Sequence, residues 1–380
     1  MGRVADKLIK AKTASSSNSR VGSFSVALVS AREGSGITDY KYHVIDVSDL
    51  SNMTVLDTVE ANDGTIKYRP SRAAILYDGD NVGIAEREYD AISYWDVSDA
   101  TSMTFIDRER NSSANFPGFN NFYGLVSDKI NNIFLGNGAT NNDWQANFRV
   151  ATNNASISRV YRSPNTSTFK HGYLQPAVDA TNRVLFVSNT SSNSISAYSY
   201  NQYGSSFTLL STLQDATDLI NPRNFVLDET TDTLYVGLTN GDITSVDVSN
   251  VSSMSVIDRL ANISGNKRYY DMQIDTTNQV LFACSVYNKT NTSVGGSVYS
   301  VDISDSANLA HLDFIEKLND TDVTFPFQMD VDAEDEYLFV ACSGSDKLLV
   351  IDYSDPSSLT IHAKSSTSNF RQDELIKLIR

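Results

Sequence analysis

Residues 44–57 read VIDVSDLSNMTVLD, and residues 94–107 read YWDVSDATSMTFID. The same pattern returns as SVDVSNVSSMSVID at 245–258, SVDISDSANLAHLD at 300–313 and VIDYSDPSSLTIHA at 350–363. Its anchor aspartates are Asp46, Asp96, Asp247, Asp302 and Asp352, which lie 50, 151, 55 and 50 residues apart in turn. The long interval is close to three of the short ones, so two worn copies are expected inside it. NFRVATNNASISRVYR (147–162) and SISAYSYNQYGSSFTLL (194–210) fit, which makes seven copies. Each copy begins as a β-branched extended run. It passes through an Asp/Ser turn whose side chains can bond nearby backbone amides, and it resumes as a second apolar run.

A second pattern precedes the copies: an apolar run ending in Asp, a polar turn, and another apolar run. NFVLDETTDTLYVGL (224–238), DMQIDTTNQVLFACS (271–285), QMDVDAEDEYLFVAC (328–342) and QPAVDATNRVLFVSN (175–189) show it. Together the patterns predict four short strands in each unit of about 50 residues, the signature of propeller blades. The expected fold is all-β: a seven-bladed β-propeller of four-stranded antiparallel blades. The first copy, SFSVALVS (23–30), starts at a second strand. The distance from an anchor to the strand-ending Asp of the next unit is 28 residues for Asp247 to Asp275, and 28 beyond Asp352 is Arg380. ELIKLIR (374–380) is therefore expected to close the ring as the missing strand of blade one, with KLIKA (7–11) as the rival. Residues 1–20 carry Arg3, Lys7, Lys10, Lys12 and Arg20 and are expected to form an arm outside a propeller domain of residues 21–380, ordered only against a partner.

LLVIDYSDPSSL (348–359) resembles the LVIVD-type repeat, found in β-propellers of microbial surface and extracellular proteins. The resemblance covers the five clear copies and the two worn ones. It implies blade structure and no catalytic residue. WD and kelch repeats fit less well, since Trp95–Asp96 is the only WD pair and stands in mid-blade.

Composition narrows the partners. The chain has 380 residues, 41% hydrophobic, with a net charge of −16. Such a surface repels nucleic acid and anionic membrane. No apolar stretch is long enough for a membrane span. Cys284 and Cys342 lie in matching apolar contexts and read as buried thiols, and no CxxC pair suggests zinc.

Catalytic motifs are sparse: there is no GxSxG elbow, P-loop or HExxH. Of the four histidines, His43, His171, His311 and His362, His43 and His362 read as blade residues and His171 as a loop residue. Asp128, Asp179, Asp228, Asp275 and Asp332 end the first strands and are expected to cap the next turn rather than hold an axial metal, as propeller enzymes of the lactonase type do. No metal or cofactor is expected. The connections between blades are richer. IKYRPSR (66–72), NFPGFNNFYG (115–124), FKHGYLQP (169–176), INPRNF (220–225), NKRYYDM (266–272) and TFPFQMD (324–330) concentrate arginine and aromatics at one mouth of the ring. A partner-binding set follows: Tyr68, Arg69, Arg72, Phe122, Tyr123, His171, Tyr173, Arg223, Arg268, Tyr269, Tyr270 and Phe327. The competing reading packs the aromatics between blades.

These features lead to an expected non-enzymatic interaction scaffold, a structural or attachment component of a tailed-phage virion. It would pack against other structural proteins of a multimeric assembly and against a host glycan or receptor. The alternative is a microbial cell-surface or secreted propeller binding a protein or glycan, and the third reading is a propeller enzyme of lactonase type.

Overall fold

In the computed structural model, the described residues are 26–32, 40–61, 70–75, 80–86, 91–110, 122–138, 144–150, 156–162, 175–262, 267–287, 295–317, 320–365 and 375–379. Their strands form seven antiparallel sheets of four. The innermost strands, taken blade by blade, are Ile376–Ile379, Pro70–Ile75, Phe122–Asp128, Ala177–Asp179, Pro222–Asp228, Lys267–Asp275 and Pro326–Asp332. Each touches the next in that order, and the last touches the first, so the chain is an all-β propeller of four-stranded blades.

The chain pattern explains the radial order. Second strands such as Asn81–Glu86, Val184–Asn189 and Thr233–Leu238 are buried at every residue, as expected for a strand covered on both faces by neighbouring blades. Outermost strands such as Thr54–Glu60 and Thr360–Lys364 alternate between exposed and half-buried, because one side meets water.

The repeated motif is a fastening device. Each anchor aspartate turns the chain from third to fourth strand by accepting the N–H two residues on. Asp247 takes Ser249 N at 2.9 Å, and Asp352 takes Ser354 N at 2.9 Å. In every blade the ladder between these strands then shifts by one residue, for example between Ser245 and Val246 and between Ser300 and Val301. The bulge re-aims the motif's last aspartate toward the next blade. Asp57 accepts Met103 N at 2.7 Å, Asp258 accepts Leu309 N at 2.8 Å, and Asp313 accepts Leu359 N at 2.7 Å.

The ring closes through ELIKLIR. Ile376–Ile379 pairs antiparallel with Val26–Val29. Leu375 and Ile379 join the core shared with blade two, while Ile376 and Leu378 join the core shared with blade seven. Blade seven also holds the strand's outer edge: Gln328 Oε1 accepts Ile376 N at 3.2 Å and Asp330 accepts Leu378 N at 2.7 Å. Residues 7–11, the rival closing strand, and the arm of residues 1–20 lie outside the described residues. Cys284 and Cys342 are buried thiols.

Candidate functional site

The first-strand aspartates are turn caps. Asp128 accepts Ile130 N and Asn131 N, each at 2.9 Å, and Asp275 accepts Thr277 N at 2.9 Å and Asn278 Nδ2 at 2.9 Å. Asp179, Asp228 and Asp332 do the same with Asn182, Thr230 and Glu334. Their oxygens are committed to the chain. Among the described residues no cluster of three or more His, Cys, Asp or Glu is placed to hold a metal ion.

The opposite face, where connections enter the innermost strands, has a different architecture. Five of these strands carry a bulge at the same place. The ladder shifts between Pro70 and Arg72, Phe122 and Gly124, Pro222 and Asn224, Tyr269 and Asp271, and Pro326 and Gln328. The extra residues are Ser71, Tyr123, Arg223, Tyr270 and Phe327. A bulged residue lies outside the regular ladder and stands out of the pleat. Among the described side chains, those of Arg223, Tyr270 and Phe327 are half-buried at this end of their strands. Proline opens three of these strands, where its missing N–H is not needed by the ladder. The residues before two of them, Asn221 and Phe325, take left-handed backbone with φ of 48° and 52°.

Three bulge residues make a continuous arc over blades five to seven. The Arg223 guanidinium lies 5.9 Å from the centroid of the Tyr270 ring. Tyr270 meets Phe327 edge to face, with centroids 5.0 Å apart. All three are half-buried, so each keeps a face toward the mouth. A cation over a tyrosine ring backed by phenylalanine offers both charge and an apolar platform.

Just below the arc, polar side chains stitch the inner edges together. Asn224 donates from Nδ2 to the Tyr269 carbonyl at 3.0 Å and accepts Gln175 N at 3.4 Å. Asp271 accepts Met329 N at 2.8 Å. These positions face away from solvent: Asn224 and Asp271 are fully buried.

The expected partner-binding residues divide accordingly. Arg223, Tyr270 and Phe327 are brought together. Tyr269 is not at the surface; it is 1% exposed, in the core between blades five and six, edge to face with Tyr299. Arg72, Phe122, Tyr123 and Arg268 lie in innermost strands at the mouth end. Tyr68, Arg69, His171 and Tyr173 lie outside the described residues. His43 and His362 are blade residues: His43 Nδ1 meets Thr58 Oγ1 at 2.9 Å, and the His362 ring packs on Tyr337. Reading the connections found the arc but not the bulges. The signal was present, as proline followed two residues later by Arg72, Asn224 or Gln328.

The LVIVD repeat model matches residues 232–261 and 328–367, so the chain is an LVIVD-repeat-like β-propeller. No curated protein matches it. Solved structures share the fold over nearly the whole chain. A protein from Lactobacillus plantarum gives a TM-score of 0.73 at 12% identity, with 94% of this chain and 100% of that one covered. The periplasmic gluconolactonase of Pseudomonas aeruginosa gives 0.72 at 11%, covering 93% and 99%. A putative 6-phosphogluconolactonase from Bacteroides fragilis gives 0.73 at 12%, covering 96% and 100%. Identities this low show a shared fold alone. These neighbours nevertheless correct the expectation of a non-enzymatic virion component for structure or host attachment: propellers of this shape include proteins named as lactonases. The expectation rested on an acidic, Ser/Thr/Asn-rich, cysteine-poor composition, and composition does not specify a function.

Proposed function

We propose that this propeller, read as a seven-bladed ring closed by its C-terminal strand, is a lactonase-type enzyme whose mouth receives a sugar lactone. The observation that carries the reading is the Arg223–Tyr270–Phe327 arc. Sugar rings present apolar C–H faces that rest on aromatic platforms, which Tyr270 and Phe327 supply. Opening a lactone turns a neutral ester into a carboxylate and an alcohol. Negative charge grows on the acyl oxygen as water adds, and a fixed cation beside it lowers the barrier. Arg223 is that cation in this arrangement. The names of the neighbouring structures support the reaction class, although a propeller fold by itself hosts many functions.

The test is hydrolysis of D-glucono-1,5-lactone, and separately of its 6-phosphate, followed by pH-stat above the spontaneous rate. The intact protein should accelerate one of them, and Arg223→Ala should lower kcat/KM by about tenfold or more, in line with the roughly 1.5–3 kcal/mol of a hydrogen bond to a charged group. Absence of acceleration with both overturns the reading. Tight binding of a glycan without turnover would instead favour a secreted or cell-surface glycan-binding propeller.

A further inference from the structure

We infer that Asn224 is the positioning residue of the Arg223–Tyr270 pair. The inference rests on the mouth being the ligand site and adds what holds that site in shape. Arg223 belongs to the innermost strand of blade five and Tyr270 to that of blade six. No ladder joins the two strands, and both residues sit in bulges, where the ladder of their own blade does not fix them.

Asn224 reaches both. It follows Arg223 in the chain, at the point where the blade-five ladder resumes opposite Gly237. Its Nδ2 donates 3.0 Å to the Tyr269 carbonyl, which belongs to the peptide that joins Tyr269 to Tyr270. Its Oδ1 accepts Gln175 N of blade four at 3.4 Å, and Phe225 N donates to the Gln175 carbonyl at 3.1 Å. One fully buried amide thus links the innermost strands of blades five and six to the segment that enters that of blade four. The chemistry needs both ends of the amide, because one neighbour offers a carbonyl and the other an N–H. The corresponding residues of blades six and seven, Asp271 and Gln328, accept an N–H from the blade that follows, at 2.8 Å from Met329 and 3.2 Å from Ile376. At Asn224 the bond to the following blade runs the other way, as a donor to the carbonyl beside Tyr270. An aspartate there would turn a carboxylate toward that carbonyl.

Two measurements test the role. The first needs no ligand. Phenylglyoxal modification of Arg223, followed by peptide mass spectrometry, should speed up several-fold in Asn224→Asp and Asn224→Ala, as it should in Tyr270→Ala, because the guanidinium leaves the ring. The second is calorimetric binding of D-gluconate. Arg223→Ala and Asn224→Ala should each weaken it about tenfold, and the double variant should weaken it no further, since both remove the same placed cation. A purely structural Asn224 predicts a lower melting temperature with an unchanged Arg223 modification rate, and losses of affinity that add to those of Arg223→Ala; either result overturns the inference. If Asn224→Ala does not fold, Asn224→Asp, which keeps the volume, carries both measurements. If the intact protein binds no gluconate, the sugar-lactone reading fails while the modification rates still decide the role of Asn224.

Discussion

The Tyr353 hydroxyl of blade seven donates to the Asp275 carboxylate of blade six at 3.0 Å, and the Tyr200 hydroxyl of blade four donates to Asp128 of blade three at 2.8 Å. Tyr353 follows the anchor Asp352, and Tyr200 follows Ser199 at the corresponding place of blade four, where other copies have Val or Ile. The phenol crosses the blade boundary to a carboxylate already capping its own turn. Tyr353→Phe should lower stability by about 1–2 kcal/mol, toward the low end for a bond to a charged group because Asp275 keeps its other donors. Urea unfolding of the variant checks this, and an unchanged midpoint would mean that the tie contributes nothing.

The same tie sets a response to alkali. Burial pushes the Tyr353 and Tyr200 phenols up, and the Asp275 and Asp128 charges, with the hydrogen bonds to them, push further in the same direction. A phenol whose folded pKa exceeds its unfolded value of 10.0 contributes stability that is complete below pH 10. That contribution is lost as pH rises above 10, where the unfolded chain releases the proton and the folded one does not. The Tyr200→Phe/Tyr353→Phe protein should be less stable at pH 8 but lose stability less steeply between about pH 10 and 11. Equal slopes for variant and parent would remove the ties as its origin.

Gly83 makes room for a neighbour. It lies in the second strand of blade two, and a Cβ there would stand 2.5 Å from Phe134 Cζ of blade three. Gly83→Ala should therefore cost about 1–3 kcal/mol by overpacking. Adding Phe134→Leu should recover part of the loss, and a double-mutant cycle of unfolding free energies reads the coupling. Strict additivity would place the strain elsewhere.

Most of the blade plan is legible in the sequence because one motif does one job several times. The Asp46, Asp96, Asp247, Asp302 and Asp352 spacing marks the turn between third and fourth strands. The burial of Leu375, Ile376, Leu378 and Ile379 follows from a four-strand count that is one short in blade one. The job of the motif's last aspartate is less legible. Asp57, Asp258 and Asp313 read as strand ends, and only the bulge before each turns it to the next blade. The mouth is legible to the same degree. Arg and aromatic residues announce an unusual surface at Arg223, Tyr270 and Phe327. Tyr269 differs from Tyr270 by one position, and the pleat sends one into the core and the other to the mouth. A pattern of residue types cannot assign that parity without the register.

The outer clasp deserves its own variant. Asp258→Ala strands the Leu309 N–H at a blade boundary, while Asp355→Ala removes only bonds inside one exposed turn, to Ser357. The first should cost about 1–3 kcal/mol, the penalty for an unmet buried donor. The second should cost far less. Thermal melts of the two variants should separate clearly; similar melts would mean that the clasp is no stronger than a local turn.

Closure of the ring can be tested without touching any other blade. Removing residues 375–380 takes away Leu375, Ile376, Leu378 and Ile379, none more than 4% exposed. At roughly 1.5–3 kcal/mol for each buried side chain, the gross loss is about 6–12 kcal/mol. Whole domains are stable by about 5–15 kcal/mol, so the loss is comparable to everything that holds such a domain together. It also leaves the inner edge of Val26–Val29 unpaired, while its other edge keeps the ladder with His43–Asp46, and bares Gln328 and Asp330, whose oxygens accept Ile376 N and Leu378 N. An open inner edge of this kind pairs with other chains. The shortened protein should therefore aggregate or melt far below the parent, and a synthetic peptide of sequence ELIKLIR added during refolding should restore part of the loss. If the shortened protein stays monomeric and melts like the parent, the ring is held by its blade-to-blade faces alone and the closing strand is dispensable.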